Sequence, residues 1–163
     1  LLKAIQLSPA LAAIFMASAD ALIQRLDTYD CLAIMQIPGS NIGLNIALPH
    51  EQGGNRFITP SLSYKFHYFA LRKMHFMMRA KALVAFPGGF GTLDELFEVI
   101  TLVQTRKAKP VPIVLYGTDY WNRLINIDAL VEEGAISAED LKLFQYVDDP
   151  EAAWAVIRDF YGL

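Results

Sequence analysis

A short apolar run, a glycine-rich turn and an amphipathic segment follow one another from residue 82 to residue 106, and this order constrains the fold most. The run ALVAF (82–86) is short and followed by glycines, as is typical of buried strands in parallel sheets. The segment 93–106 predicts a helix with one apolar face formed by Leu93, Leu96, Phe97, Ile100 and Val103. A strand that passes through a turn into a helix is half of a βαβ unit, so the chain predicts a parallel sheet.

Apolar and amphipathic segments alternate along the rest of the chain. Strands are predicted at 31–37, 42–48, 111–116 and 145–147, helices at 9–27, 63–80, 120–132 and 137–144 and from Pro150, and a loop at 49–60. This alternation predicts an α/β fold of three layers, in which helices cover both faces of a parallel sheet. The length of 163 residues predicts one domain over residues 1–163.

The composition excludes several classes of protein. The chain has one cysteine, Cys31, so we expect no disulfide framework within it, and a reducing compartment such as the cytoplasm is favoured. No Cys/His spacing suggests zinc, and the net charge of −3 gives no case for a nucleic-acid or membrane partner. The stretch SPALAAIFMASADA (8–21) imitates a secretory signal but is too short to span a membrane, and a helix over 9–27 is the preferred interpretation.

Basic residues are concentrated in the middle of the chain. Residues 52–93 contain no Asp or Glu and carry six Lys or Arg, namely Arg56, Lys65, Arg72, Lys73, Arg79 and Lys81. The rest of the chain has eight basic and 17 acidic side chains, a net charge of −9. A cationic segment in an acidic protein suggests a site for a small anion, and the alternative is an ordinary solvated helix face.

The turn PGGFGT (87–92) combines features of an anion-binding site. Glycines let the backbone approach an anion closely, the helix start offers unpaired N–H groups, and Thr92 adds a hydroxyl. Three alternatives remain open: Thr92 and Glu95 form a capping box, Asp94 and Glu95 complement the helix dipole, or the glycines form only a tight turn. The P-loop motif is absent, and the dinucleotide fingerprint lacks both its third glycine and its later acid.

The motif PGGFGTLDE (87–95) carries a family resemblance. With the pair Arg72-Lys73 fifteen residues before Pro87 and the segments SNIGLNIALPHEQ (40–52) and PIVLYGTDYWNRLI (112–125), it resembles the bacterial branch of the LOG family. These proteins are cytokinin riboside 5′-monophosphate phosphoribohydrolases, and many members carry the older label "possible lysine decarboxylase". The resemblance implies a Rossmann-like nucleotide-binding domain that assembles as a homodimer.

The resemblance also implies hydrolysis of the N-glycosidic bond of a nucleoside 5′-monophosphate, such as AMP or a cytokinin riboside monophosphate, to a free base and ribose 5-phosphate. No metal or organic cofactor is required. A carboxylate suits this chemistry because the bond breaks through an oxocarbenium-like state. The expected catalytic residues are Glu95 and Arg72, and the expected phosphate- and ribose-binding residues are Gly88, Gly89, Gly91, Thr92, Lys73 and Glu98.

Two other functions stay open beside this one. The residues CLAIMQIPGS (31–40) lack the glycine-rich turn that LOG proteins have after an early strand. If this turn is truly lost, a non-catalytic nucleotide- or cofactor-binding protein resembling the molybdenum-cofactor carriers gains support. Glu95 separates the two readings, because a carrier has no need of it. A pyridoxal-dependent lysine decarboxylase is disfavoured, because neither Lys73 nor Lys81 has a partnering motif for a Schiff base.

Several single residues also have two readings. Arg72 could form an ordinary surface ion pair instead of holding the substrate, and Lys73 could face solvent. The residues Tyr116, Tyr120 and Trp121 follow a strand and could line a base pocket or belong to the core. We expect the two histidines of the basic segment, His67 and His75, to be structural or exposed.

Overall fold

The computed structural model describes residues 34–37, 40–46 and 59–162, and from residue 63 onward each strand is followed by one or more helices. The helix predicted at 9–27 and most of the loop predicted at 49–60 lie outside these residues. The strands are β1 (Ile34–Ile37), β2 (Ser40–Ile46), β3 (Ser63–Phe66), β4 (Leu83–Ala85), β5 (Ile113–Tyr116) and β6 (Gln145–Val147). The helices are α1 (Phe69–Arg79), α2 (Phe90–Gln104), α3 (Thr118–Leu124), α4 (Ile127–Glu132) and α5 (Pro150–Tyr161), with 3₁₀ helices at Pro60–Leu62 and Ala138–Leu143.

A parallel sheet covered on both faces forms the second half of the fold. Its strands have the order β4-β5-β6 and all run parallel. Alternate residues of β5 point to opposite faces, so Ile113 and Leu115 join the core cluster under α2, whereas Val114 joins the cluster that includes Ala153 of α5. The three residues are between 0 and 2% exposed, which matches the continuous apolar run expected of a central parallel strand. The predicted α/β fold with three layers is therefore confirmed.

A second sheet has the order β1-β2-β3, in which β2 pairs with β1 antiparallel and with β3 parallel. Its third strand corrects the sequence analysis, which predicted one helix over residues 63–80. Residues 63–66 (SYKF) pair with β2, and the helix begins only at Phe69, after the extended residue Tyr68. The reason is the alternation of polar and aromatic residues in SYKF, a two-residue period that suits a strand better than a helix.

The prediction of one continuous helix over residues 120–132 is also wrong. The segment forms two helices, because the side chain of Asn126 accepts a hydrogen bond from the Ala129 N–H at 3.2 Å and starts α4. The segment predicted helical at 137–144 forms a 3₁₀ helix over Ala138–Leu143, and the capping box that SAED suggested is present between Ser137 and Asp140.

The final strand and helix agree with the sequence analysis. The strand β6 occupies 145–147, and α5 begins at Pro150, where the Asp149 carboxylate accepts from the Ala152 N–H at 2.8 Å. Among the described residues, none of the helices is long and apolar enough to cross a bilayer.

Candidate active site

The glycine-rich turn joins the carboxyl end of β4 to the start of α2. The helix begins at Phe90, three residues earlier than predicted, with Gly89 as N-cap residue and no side chain capping it. Its first backbone hydrogen bond runs from the Leu93 N–H to the Gly89 carbonyl at 3.1 Å. The N–H groups of Phe90, Gly91 and Thr92 therefore have no acceptor within the helix, and they stand at the positive end of its dipole.

The capping-box interpretation of Thr92 and Glu95 is wrong. With Gly89 as N-cap, Thr92 is the third helical residue rather than the cap, and no acidic residue lies in the first turn. The Glu95 carboxylate instead accepts a hydrogen bond from Arg72. Asp94 and Glu95 lie in the second turn, and both pair with basic side chains of α1, so complementing the helix dipole does not account for them either.

Two glycines of the turn are constrained differently. A Cβ on Gly88 would lie 2.2 Å from Thr92 Oγ1, so only glycine allows the Thr92 side chain to approach the turn this closely. A Cβ on Gly89 would meet no atom within 4 Å. Packing therefore explains Gly88, whereas the space above Gly89 is open to a ligand.

A buried ion pair joins the helix α1 to α2. Arg72 is 4% exposed, and its Nη2 donates to Oε1 of Glu95, whose side chain is 18% exposed. The guanidinium also lies over the ring of Phe69, 5.4 Å from its centroid. The reading of Arg72 as an ordinary surface ion pair is thus wrong, because both side chains are largely withdrawn from water.

Arg72 has a further hydrogen-bond donor besides the one that pairs with Glu95. Its Nε is buried and has no hydrogen-bond partner within the part of the chain that the structure describes. Buried donors without a partner are rare in folded proteins and mark places where a ligand or ordered water is expected. Arg72 therefore combines a fixed carboxylate partner with a free donor.

The surroundings of the Glu95 carboxyl group shift its pKa. Burial raises the pKa of Glu95 above its usual range, and the Arg72 guanidinium and the Lys73 ammonium pull this pKa down without cancelling the effect of burial. Carboxyl groups in this condition are typical of catalytic acids and bases.

Lys73 makes a second set of contacts between the two helices. Its Nζ lies 2.5 Å from Asp94 Oδ2 and 2.9 Å from Glu98 Oε2, and the residue is buried. The reading in which Lys73 faces solvent is therefore wrong. Burial alone would lower the pKa of Lys73, but the Asp94 and Glu98 carboxylates outweigh it, and the pKa is raised.

An open groove of about 540 Å³ runs along α2 beside this cluster. Its lining is formed by Lys73, Leu93, Asp94, Phe97, Glu98, Thr101 and Leu102. Glu95 and Arg72 do not line it. The structure thus brings the predicted residues Arg72, Lys73, Glu95 and Glu98 together where α1 contacts α2. Of these residues, Lys73 and Glu98 line the groove, whereas Arg72 and Glu95 do not.

Tyr120 contacts the glycine-rich turn directly. Its hydroxyl donates a hydrogen bond of 2.5 Å to the carbonyl of Gly88, in the glycine turn. The neighbouring Trp121 is 1% exposed and belongs to the core, with its Nε1 donating to the Tyr116 carbonyl at 2.9 Å. Trp121 therefore does not line a base pocket. The only signal for Tyr120 in the sequence was its position just after a strand end.

The two histidines of the basic segment lie before and within α1. His67 is exposed between β3 and α1, and the ring centroid of His75 lies 5.5 Å from that of Phe66, with the two rings tilted by 45°. Both placements agree with the expectation that these residues are structural or exposed.

Fold and site together define the class of protein. It is an α/β protein with a glycine-rich turn at the carboxyl end of a parallel strand, and a largely buried carboxylate–guanidinium pair links the helix after this turn to α1. Residues 32–157 match the family model described as "possible lysine decarboxylase". The chain belongs to this family, which confirms the resemblance found in the motif around the glycine turn.

Curated relatives carry one recurrent name. A probable cytokinin riboside 5′-monophosphate phosphoribohydrolase of Oryza sativa subsp. japonica is 39% identical over 100 residues, covering 52% of this chain and 41% of the relative. A second such rice protein is 34% identical over 104 residues, covering 63% and 44%. A cytokinin riboside 5′-monophosphate phosphoribohydrolase of Arabidopsis thaliana is 46% identical over 68 residues, covering 40% and 31%. The chain spans less than half the length of these relatives.

Proposed function

We propose that the protein hydrolyses the N-glycosidic bond of a nucleoside 5′-monophosphate and releases a free base and ribose 5-phosphate. The observation that carries the proposal is the buried Arg72–Glu95 pair one and a half turns below the glycine-rich start of α2. A withdrawn carboxylate with a raised pKa suits a catalytic acid or base, and a carrier does not require one. The names of the relatives support the same reaction.

The helix start supplies the phosphate site in this proposal. The N–H groups of Phe90, Gly91 and Thr92 and the open space above Gly89 suit a phosphate monoester. Glu95 lies five residues after Phe90, about 7.5 Å along the helix axis, and helical side chains lean back toward the N-terminus. A ribose ring joined to its phosphate can span this separation, which puts the anomeric carbon near the carboxylate.

The ionised Glu95 then has two tasks. Positive charge develops on the ribose as the bond to the base breaks, and a carboxylate in a largely dry site stabilises that charge more strongly than in water. The same carboxylate accepts a proton from the attacking water as the water oxygen bonds to the anomeric carbon. The base leaves with the electron pair of the broken bond and takes up this proton. Arg72 fixes the carboxylate through Nη2, and its unpartnered Nε is available to a substrate oxygen.

We propose a supporting task for Lys73 and Glu98. The Lys73 ammonium is occupied by Asp94 and Glu98, so we propose that Lys73 orients α2 and shapes the rim of the site rather than binding ribose or phosphate itself. These contacts also argue against lysine decarboxylation through a Schiff base. A Schiff-base lysine must lose its proton to react, whereas the carboxylates raise the pKa of Lys73.

Three wider properties belong to the same proposal. We expect residues 1–163 to act as one nucleotide-binding domain, two copies to form a homodimer, and the protein to work in the cytoplasm. Light scattering coupled to size-exclusion chromatography tests the dimer, since a single chain has a mass of 18.2 kDa.

The decisive experiment measures base release from AMP, GMP, CMP and isopentenyladenosine monophosphate by wild type and Glu95→Gln. We expect release that falls at least about 100-fold in Glu95→Gln, the scale of a lost general base. The exposed Glu139 provides the control, because Glu139→Gln makes the same chemical change outside the site. Binding of monophosphates without release of any base would refute the hydrolase and favour a carrier.

A further inference from the structure

The hydrogen bond from Tyr120 to Gly88 links the glycine turn to the helix after the next strand. Tyr120 lies in α3, which follows β5, and its hydroxyl reaches the Gly88 carbonyl at 2.5 Å across 32 residues of sequence. This carbonyl belongs to the peptide group whose N–H is that of Gly89, the N-cap of α2. Tyr120 therefore acts on the peptide at which the proposed phosphate site begins.

A trans peptide couples the direction of its two polar groups. The described residues contain no cis peptide bond, so the Gly89 N–H points away from the Gly88 carbonyl. Glycine on both sides leaves this peptide plane unusually free to rotate. Once the Tyr120 hydroxyl holds the carbonyl on its own side, the Gly89 N–H is directed to the opposite side.

We propose that Tyr120 is a positioning residue that orients the Gly89 N–H toward the phosphate of the substrate. This inference rests on the proposed function, because it names a residue that prepares its phosphate site. Tyr120 touches no reacting atom in the proposal. It acts through the Gly88–Gly89 peptide alone.

The support of Tyr120 is rigid enough for this task. Its ring packs edge-on against Trp121, with ring centroids 5.2 Å apart, and Trp121 is anchored in the core. The helix α3 begins after Gly117, which has a φ of 91°, and a Cβ there would lie 3.2 Å from Pro87 at the start of the turn. The loop after β5 and the turn after β4 are thus packed against each other, and the hydroxyl adds a directional contact.

The test compares Tyr120→Phe with wild type in binding ribose 5-phosphate, AMP and adenosine by calorimetry. Loss of one orienting hydrogen bond should weaken ribose 5-phosphate and AMP by about two- to tenfold and leave adenosine unchanged. The KM for AMP should rise with little change in kcat, because the chemistry at Glu95 is untouched.

Tyr161→Phe is the matched control. The Tyr161 hydroxyl also donates to a backbone carbonyl, that of Lys81 at 2.6 Å, but away from the turn. Both variants should lose a similar amount of thermal stability, whereas only Tyr120→Phe should lose phosphate affinity.

The outcomes separate this inference from the function on which it rests. Unchanged ribose 5-phosphate binding in Tyr120→Phe, or equal weakening of adenosine, would overturn the positioning role. Selective weakening without base release from any monophosphate would support Tyr120 and refute the hydrolase. A wild type that binds no phosphate ester would overturn both.

Discussion

The buried ion pair should respond asymmetrically to the loss of its two members. We expect Arg72→Met to destabilise the protein and Glu95→Gln to leave its stability nearly unchanged. The reason lies in the balance at Glu95, where burial outweighs the attraction of Arg72 and raises the pKa of the carboxyl. A raised pKa means that the folded state favours the neutral carboxyl more than the unfolded state does, so a neutral amide is tolerated.

The magnitudes follow from the burial of the two side chains. Removing one partner of a buried pair costs about 3–5 kcal/mol when the other charge is stranded. In Arg72→Met the carboxyl of Glu95 takes up a proton and so does not remain as an unpaired charge. We therefore expect the free energy of unfolding to fall by only about 2–3 kcal/mol. In Glu95→Gln the amide oxygen still accepts from Arg72, and the change lies within about 1 kcal/mol of zero.

The double variant completes a double-mutant cycle for Arg72 and Glu95. With no carboxylate left to strand, Arg72→Met combined with Glu95→Gln should lose only about 1 kcal/mol, from the missing contact with Phe69. The interaction energy between the two sites is then about 1.5 kcal/mol. Urea unfolding followed by fluorescence, with Trp121 as a buried reporter, measures all four proteins.

An exposed pair serves as the control. Lys142 and Glu139 contact each other at 2.8 Å with side chains 74% and 79% exposed, so Lys142→Met and Glu139→Gln should show no measurable coupling. The reasoning is refuted if Glu95→Gln costs more than about 2 kcal/mol, or if Arg72→Met costs the same with and without Glu95→Gln.

Three further predictions concern the same region. The pKa of Glu95 in the folded state lies above its unfolded value of about 4.3, so the contribution of Glu95 to stability is full below that value and is lost as pH rises through the folded pKa. Urea titrations should therefore show wild type losing stability relative to Glu95→Gln across this pH window. The pH profile of kcat/KM should show an acid limb above the usual range of glutamate pKa values. Lys73→Met removes a cation that lowers the pKa of Glu95, so that acid limb should move to higher pH in the rate profile, and an unmoved limb would contradict this electrostatic effect of Lys73. Gly88→Ala should destabilise by about 1–3 kcal/mol through its clash with Thr92, whereas Gly89→Ala should fold normally and lose phosphate affinity; equal effects in urea melts and calorimetry would refute the distinction.

The parallel sheet was predictable because local sequence patterns mark its strands and the helices that cover it. The residues of β5 are apolar without interruption, and α5 begins with Asp149 and Pro150, whose capping preferences are local. The strand β3 was missed because its pairing with β2 is a long-range interaction and its residues run directly into the amphipathic pattern of α1. The break between α3 and α4 depends on one Asn126 side chain within an otherwise helical pattern.

The residues of the candidate site could be selected from the sequence, but their contact partners could not. The glycine turn and the motif pointed to Glu95 and Arg72, yet the capping box offered an equally local explanation for the carboxylate. Only the packing of α1 on α2 brings Arg72 to Glu95 across 23 residues of sequence. The contact of Tyr120 with Gly88 could not be predicted for the same reason, because no periodicity links the turn after one strand to the helix after the next.

The charge pattern takes on a different meaning in three dimensions. The basic segment suggested an anion site, but its buried cations, Arg72 and Lys73, are offset by three carboxylates of α2, so this cluster of five side chains carries a net charge of −1.

In the proposed function, attraction for phosphate comes from the backbone at the start of α2, where N–H groups and the helix dipole are positive. The acidic cluster lies further along the same helix, near the ribose carbon that becomes positive in the proposed reaction. Consecutive residues on α1 point about 100° apart, so Arg72 serves Glu95 while Lys73 is diverted to Asp94 and Glu98. This division leaves Glu95 with a single directly bonded cation, and a carboxylate neutralised by two cations would stabilise an oxocarbenium ion less.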